Sequence, residues 1–169
     1  QLNKILENHG PISKEILSTI KPLKMWKEYI HGGYYPYFIE GEMAYPEKVN
    51  NTINAILEVD LPNSRSIDYQ SVYKLKQLLY IISESVPFKP NISKLSNILG
   101  ITRPTLLQYL SYMEKAQLIN MLRRETKGIS LMSKPEKIFL QNSNLFFALN
   151  EDNANIGNLR ESFFLNQVS

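Results

Sequence analysis

The chain has 169 residues, 43% of them hydrophobic, and a formal net charge of +3, so it can fold around a core of its own. It contains no cysteine, which excludes a disulfide framework, a cysteine-ligated metal site and a thiol nucleophile. Its longest apolar run, residues 78–82, is far shorter than the roughly 20 residues of a membrane-spanning helix. We therefore expect a cytoplasmic protein without a membrane partner.

Phosphate-binding loops are missing from the sequence. Neither G-x-x-x-x-G-K-[ST] nor G-x-G-x-x-G occurs, and the seven glycines are scattered. The chain starts at Gln1 and stops inside a predicted helix, which indicates a piece of a longer protein. We expect this piece to bind no cofactor, to contain no catalytic residue and to hydrolyse no ATP by itself.

Residues 1–60 are predicted to be helical. Apolar residues recur at helical spacing on both sides of a break near His9, Gly10 and Pro11, and again after Pro46. The polar, turn-rich residues 61–66 predict a linker, so residues 1–66 form the first predicted domain. We expect this domain to pack mainly within itself through five residues: Leu23, Trp26, Ile30, Ile53 and Leu57.

An aromatic run, Tyr34-Tyr35-Pro36-Tyr37-Phe38, interrupts this helical pattern. Pro36 has no backbone N–H, so the run cannot be a central strand. The rings could stack on bases or on an adenine. The commoner alternative is that they pack between helices.

Residues 67–150 predict a winged helix-turn-helix, with three helices and a β wing. A long amphipathic helix precedes residues 87–90, a short helix ends at Gly100, and a third helix follows with Thr102 as its N-cap. Strand-like segments at 118–122, 129–132 and 138–141 surround a charged tip. The predicted core of this domain comprises Leu75, Leu79, Leu95, Leu99, Leu106, Leu110 and Met113.

Positive charge is concentrated in this second region. Residues 87–140 hold nine lysines and arginines against three acidic residues, a net charge of +6. Such an excess suits phosphate backbones, and the face of the third helix opposite Leu106 and Leu110 is polar. The alternative is a structural or protein-docking module, since that face has few full charges. The candidate DNA contacts are Arg103, Thr105, Gln108, Ser111, Tyr112 and Lys115 on the helix, and Arg123, Arg124 and Lys127 on the wing.

Several short motifs follow one another along nearly the whole chain. They are residues 29–36, 56–61, 95–119, 134–138 with Asn142, and 157–164. Their order resembles the C-terminal part of bacterial and archaeal AAA-type ATPases. In that family a winged helix is followed by a restriction-endonuclease-like domain of unknown function.

The resemblance implies a specific organisation. Residues 1–66 would be the helical lid of the ATPase, and its ATP- and magnesium-binding motifs would precede Gln1. Residues 151–169 would begin the nuclease-like domain, with Glu161 at its first acidic position. The alternative for Glu161 is a helix residue in a salt bridge. The implied partners are DNA, the ATPase domain and the nuclease-like domain of the same protein.

Overall fold

The computed structural model describes residues 2–41, 44–65, 67–84, 87–123, 134–150 and 156–168. Most of them are helical, which confirms a mostly α protein. In chain order the helices are α1 (Leu2–Glu7), α2 (His9–Thr19), α3 (Pro22–Gly32), α4 (Tyr45–Ala55), α5 (Leu61–Arg65), α6 (Tyr69–Ser83), α7 (Ile92–Leu99), α8 (Arg103–Lys115), α9 (Ser143–Leu149) and α10 (Ile156–Val168). A 3-10 helix covers Pro36–Glu40, a π-helical turn covers Ile56–Asp60, and the two strands are β1 (Ile119–Leu122) and β2 (Lys137–Leu140).

The first two helices contribute little to the core. The break in the helical pattern lies at Asn8, between α1 and α2, whereas His9, Gly10 and Pro11, near which it is predicted, begin α2. Every residue of α2 is described and none is buried. Leu23, in the first turn of α3, is 73% exposed. The prediction that Leu23 packs in the core is therefore wrong, because α2 does not fold back to cover it.

The rest of the first predicted domain packs against a helix from much later in the chain. Ile30, Ile53 and Leu57 are buried as predicted, and Trp26 is partly buried. However, α9 packs against both α3 and α4, and its Leu145 is also buried. Residues 1–60 thus do not pack mainly among themselves, because α9 covers the apolar faces that α2 leaves open.

A buried amide joins α9 to the end of α3. Asn144 is 1% exposed, and its Nδ2 donates to the backbone oxygens of Ile30 (2.8 Å) and Tyr29 (3.2 Å). Its Oδ1 accepts hydrogen bonds from the backbone N–H of Tyr34 (2.8 Å) and the hydroxyl of Tyr45 (2.6 Å). Burial raises the pKa of Tyr45, which keeps the phenol protonated as a donor. One side chain therefore satisfies groups on four residues of the first segment.

The predicted linker is helical. Helix α4, the π-helical turn and α5 follow one another without interruption, and Leu61 is buried. Pro62 lacks an N–H, and in a regular α-helix its ring would crowd the carbonyl of Glu58. The wider π turn immediately before Pro62 relieves this conflict. Residues 61–65 therefore extend the helix, which corrects the turn-rich interpretation.

Helices α6, α7 and α8 have the predicted caps and core. Asp68 accepts a hydrogen bond from the Ser71 N–H (2.7 Å) at the start of α6, which lowers the pKa of Asp68. Gly100 ends α7 at φ 60°, a left-handed conformation that glycine adopts at little cost. Thr102 caps α8. All seven predicted core residues are buried: Leu75, Leu79, Leu95, Leu99, Leu106, Leu110 and Met113.

Strands β1 and β2 form an antiparallel pair in which Ile119 lies opposite Leu140 and Leu122 opposite Lys137. Phe88 forms an isolated antiparallel β-bridge with Ile138 of β2, through two backbone hydrogen bonds of 2.8 Å. The predicted strand at 129–132 lies outside the described residues. The strand near 138–141 corresponds to β2.

One hydrophobic core crosses both predicted domain boundaries. A single cluster of buried side chains extends from Ile30 to Leu159. In α10, Phe163 contacts the rings of Trp26 (6.2 Å between centroids) and Tyr29 (5.7 Å) edge to face. The division at residues 66 and 150 remains a prediction, and the three ranges pack together.

Candidate nucleic-acid interface

Helix α8 presents a buried face and a polar face, as the spacing predicts. Leu106, Leu110 and Met113 are fully buried. Gln108 and Lys115 are exposed on the other side, and Arg103 is exposed at the start of the helix, whereas Thr105, Ser111 and Tyr112 are half-buried. The six candidate residues of α8 therefore lie outside the core and contribute to its surface.

The start of α8 borders an open depression. The hydroxyls of Thr102 and Thr105 are 2.8 Å apart, and the Thr105 N–H donates to Thr102 Oγ1 (3.3 Å). Thr105 is therefore engaged in capping the helix, a local role that the sequence did not assign to it. The depression is lined by Ser96, Asn97, Gly100, Ile101, Thr102 and Thr105.

Three side chains form a continuous row beside the middle of α8. Gln108 Nε2 donates to the hydroxyl of Tyr112 (2.5 Å), one helical turn away. The guanidinium carbon of Arg65, from α5, lies 5.5 Å from the centroid of the Tyr112 ring. Sequence analysis missed Arg65, because it placed this residue in a linker. Its spacing of one helical turn from the buried Leu61 is the signal that could have revealed it.

The structure gives Arg123 a role that differs from the predicted phosphate contact. Its Nη1 and Nη2 donate to the two carboxylate oxygens of Glu114 at 2.9 and 2.7 Å. Both side chains are largely covered, with exposures of 25% and 30%. This bidentate pair compensates the charge of Arg123 and joins the end of α8 to the residue after β1. Arg123 is therefore less suited to bind an external anion.

We expect Glu114→Gln to lower the free energy of unfolding by about 1–2 kcal/mol, because it removes the charge that compensates the half-buried Arg123. Glu28→Gln is the matched control. Its partner Lys24 is 3.8 Å away and both side chains are mostly exposed, so its effect should stay below about 0.5 kcal/mol. Urea denaturation of the two variants provides the comparison. Equal losses would argue against a structural role for the Arg123 pair.

Three candidate residues remain outside α8 and the Arg123 pair: Arg124, Lys127 and Glu161. Arg124 and Lys127 lie outside the described residues. Glu161, in α10, forms an ion pair with Lys137 of β2, and its Oε1 lies 2.5 Å from the Lys137 Nζ. Glu161 therefore forms a salt bridge, as the structural alternative to a nuclease role predicts. This salt bridge connects α10 to the sheet.

The aromatic run is mostly engaged within the protein. Tyr35 stacks on Tyr37 with centroids 5.9 Å apart, and the Tyr35 hydroxyl accepts a hydrogen bond from Asn142 (3.2 Å). Tyr37 shares a hydrogen bond with Thr52 (3.1 Å). Phe38 is about half exposed. These contacts favour packing between elements over stacking on bases.

The two histidines, His9 and His31, are the remaining candidates for metal ligands. The described part of the chain contains no group of three or more His, Asp or Glu side chains arranged to hold a metal. The His9 ring contacts the backbone oxygen of Leu6, and His31 stacks on Phe147 with centroids 4.3 Å apart. Both histidines therefore have local structural contacts.

Comparison with known proteins places the chain in a family. Residues 23–156, most of the chain, match the family described as a domain of unknown function, DUF8612. The chain belongs to the DUF8612 family. No solved structure matches this DUF8612 chain.

A longer archaeal protein is similar to this DUF8612 chain. It is the uncharacterized protein MJ1637 of Methanocaldococcus jannaschii, 24% identical over 119 residues. The match covers 70% of the DUF8612 chain, which thus spans about a quarter of that relative's length. Within the described ranges, none of the helices is both long and apolar enough to cross a membrane.

Proposed function

We propose that this chain is a DNA-binding part of a longer AAA-type ATPase, in which α6, α7, α8 and the β1–β2 hairpin form a winged helix. The exposed face of α8 carries the proposal. Gln108 and Lys115 reach solvent there, and Arg103 does so at the start of the helix. No carboxylate of the described residues forms an ion pair with Arg103 or Lys115. A helix face with uncompensated positive charge and amide donors is suited to phosphates and base edges.

The arrangement of the elements supports the winged-helix part of the proposal. Phe88 bridges to β2 between α6 and α7, and β1 and β2 follow α8. The order helix, bridge, helix, helix, strand, strand is the order of a winged helix. Gly100 provides the tight turn between the last two helices.

The length of the archaeal relative supports the proposal of a longer protein. In the longer protein that we propose for this chain, ATP and magnesium would bind to an ATPase domain that precedes residue 1, and α1–α5 would belong to its lid. A nuclease-like domain would begin near α10. We assign no catalytic role to Glu161, because its carboxylate pairs with Lys137. The same proposal includes a cytoplasmic location.

Salt titration of duplex binding tests the DNA contact. We expect the double variant Arg103→Ala, Lys115→Ala to bind duplex more weakly and to lower the slope of log affinity against log salt by about 1.8, since each phosphate contact contributes about 0.9. The control is Lys14→Ala, Lys27→Ala. It removes the same charge from exposed positions on α2 and α3, and its slope should equal that of the unmodified chain.

A second candidate function is protein docking without nucleic acid, and the Arg123–Glu114 pair favours it, because it neutralises a cation that a wing would use. The same titration separates the two functions. If the unmodified chain binds no duplex at low salt, docking replaces DNA binding. If the control variant loses as much slope as the α8 variant, the contact is not on α8.

A further inference from the structure

We infer that Arg65, at the end of α5, is a further phosphate-contacting residue and that the DNA-binding surface is shared between α5 and α8. The inference rests on the proposed function, because it concerns the same face of α8. It assigns part of that surface to the segment that precedes the three-helix unit.

The first observation is the position of the Arg65 charge. Its guanidinium carbon lies 5.5 Å from the centroid of the Tyr112 ring, within the range of a cation–π contact. Tyr112 in turn accepts the hydrogen bond from Gln108 (2.5 Å). A cation from α5 therefore lies beside Tyr112, which is linked to Gln108, and both are candidate DNA contacts of α8.

The second observation is that Arg65 keeps its hydrogen-bonding capacity. Within the described ranges Arg65 makes no hydrogen bond or ion pair, and its side chain is exposed. Asp68, the next carboxylate along the chain, accepts a hydrogen bond from the Ser71 N–H. A ring face attracts a guanidinium without using its N–H donors, so all five remain available for phosphate oxygens.

The third observation is that the backbone holds Arg65 in place. Leu61, one turn earlier, is 6% exposed and anchors α5 to the core. From Tyr45 to Arg65 the chain is continuously helical. The side chain therefore starts from a fixed position, which reduces the conformational entropy lost when it binds a phosphate.

The structure offers a matched control in Arg160. Its guanidinium carbon lies 5.5 Å from the ring centroid of Trp26, and its side chain is also exposed. Arg160 belongs to α10, which packs on α3 and α9 rather than on α8. Arg65→Ala and Arg160→Ala thus remove the same charge and the same type of aromatic contact from different surfaces.

The experiment is a salt titration of duplex binding with the full chain and the variants Arg65→Ala, Arg65→Lys and Arg160→Ala, with the melting temperature of each as a second measurement. We expect Arg65→Ala to lower the salt slope by about 0.9 for every duplex sequence. Arg65→Lys should restore the slope, because it keeps the charge. Arg160→Ala should leave the slope unchanged, with a small fall in melting temperature similar to that of Arg65→Ala.

Three other outcomes would overturn the inference, and they show whether the proposed function fails with it. If the unmodified chain binds duplex and Arg65→Ala has an unchanged slope, the shared surface is wrong while the proposed function stands. If Arg160→Ala lowers the slope equally, the effect is one of net charge and the inference fails. If the unmodified chain binds no duplex, the proposed function and the inference fail together.

Discussion

Replacing Asn144 by leucine is expected to lower the free energy of unfolding by roughly 3–5 kcal/mol, a large part of the stability of a domain of this size. Two groups would lose their partner, the Ile30 oxygen and the Tyr34 N–H. The Tyr45 hydroxyl would lose its acceptor, although it still accepts a hydrogen bond from the Tyr35 N–H (3.0 Å). Each buried polar group without a partner costs about 1–3 kcal/mol. The Tyr29 oxygen is less affected, because it also accepts from the Gly33 N–H (2.8 Å).

Urea denaturation measures this loss, and two further variants interpret it. Asn166→Ala removes the hydrogen bond from Nδ2 to the Gln141 oxygen (2.7 Å) and an exposed one from Gln167 (3.2 Å), and should cost about 1 kcal/mol. Tyr45→Phe removes one donor to Asn144 and also the acceptor of the Tyr35 N–H (3.0 Å). It should cost about 1–2 kcal/mol, because Asn144 Oδ1 keeps its bond to Tyr34. If Asn144→Leu costs no more than Asn166→Ala, the Asn144 network does not hold α9 against α3.

Substitution of Gly33 is the second change with a large expected effect. A Cβ at this position would lie 2.7 Å from the Cα and from the Cδ2 of Tyr29. The Tyr29 ring packs on Phe163, and a backbone atom cannot yield without moving α3. We expect Gly33→Ala to destabilise the protein by about 1–3 kcal/mol, as overpacking does elsewhere.

The neighbouring glycine provides the control. A Cβ on Gly32 would lie 3.8 Å from the nearest atoms of the Tyr45 ring, an ordinary contact distance. Gly32 is the last residue of α3, and alanine favours the helical conformation more than glycine does. Gly32→Ala should therefore be neutral or slightly stabilising in thermal denaturation. Equal losses for the two variants would show that helix ending, and not contact with Tyr29, determines the effect.

Elements with local determinants could be predicted from the sequence. Helices α6, α7 and α8 follow from apolar periodicity, and the end of α7 follows from Gly100, whose φ of 60° suits glycine. Gly100 caps the end of α7 and Thr102 caps the start of α8, so each acts on residues next to it in the sequence. The inward face of α8 follows from the helical angle alone.

Features that depend on distant partners could not be predicted. Asn144 and its partners Tyr29 and Ile30 are separated by more than 110 residues, and an isolated asparagine after a predicted strand carries no sign of such a network. The compensation of Arg123 by Glu114 depends on how the chain turns after α8. The helical state of residues 61–65 depends on burial of Leu61, which outweighs the turn preference of Pro62 and Asn63.

The π-helical turn over Ile56–Asp60 also affects the directions in which the side chains of the following helix α5 point around the helix axis. Removing one residue from a helix rotates the downstream residues by about 100° around the axis. A one-residue deletion in the regular helix α4 would therefore turn Leu61 out of the core and carry Arg65 away from the Tyr112 ring. A π turn closes with one residue more than an α turn, so residues 56–60 accommodate one additional residue while α5 keeps its register with α8.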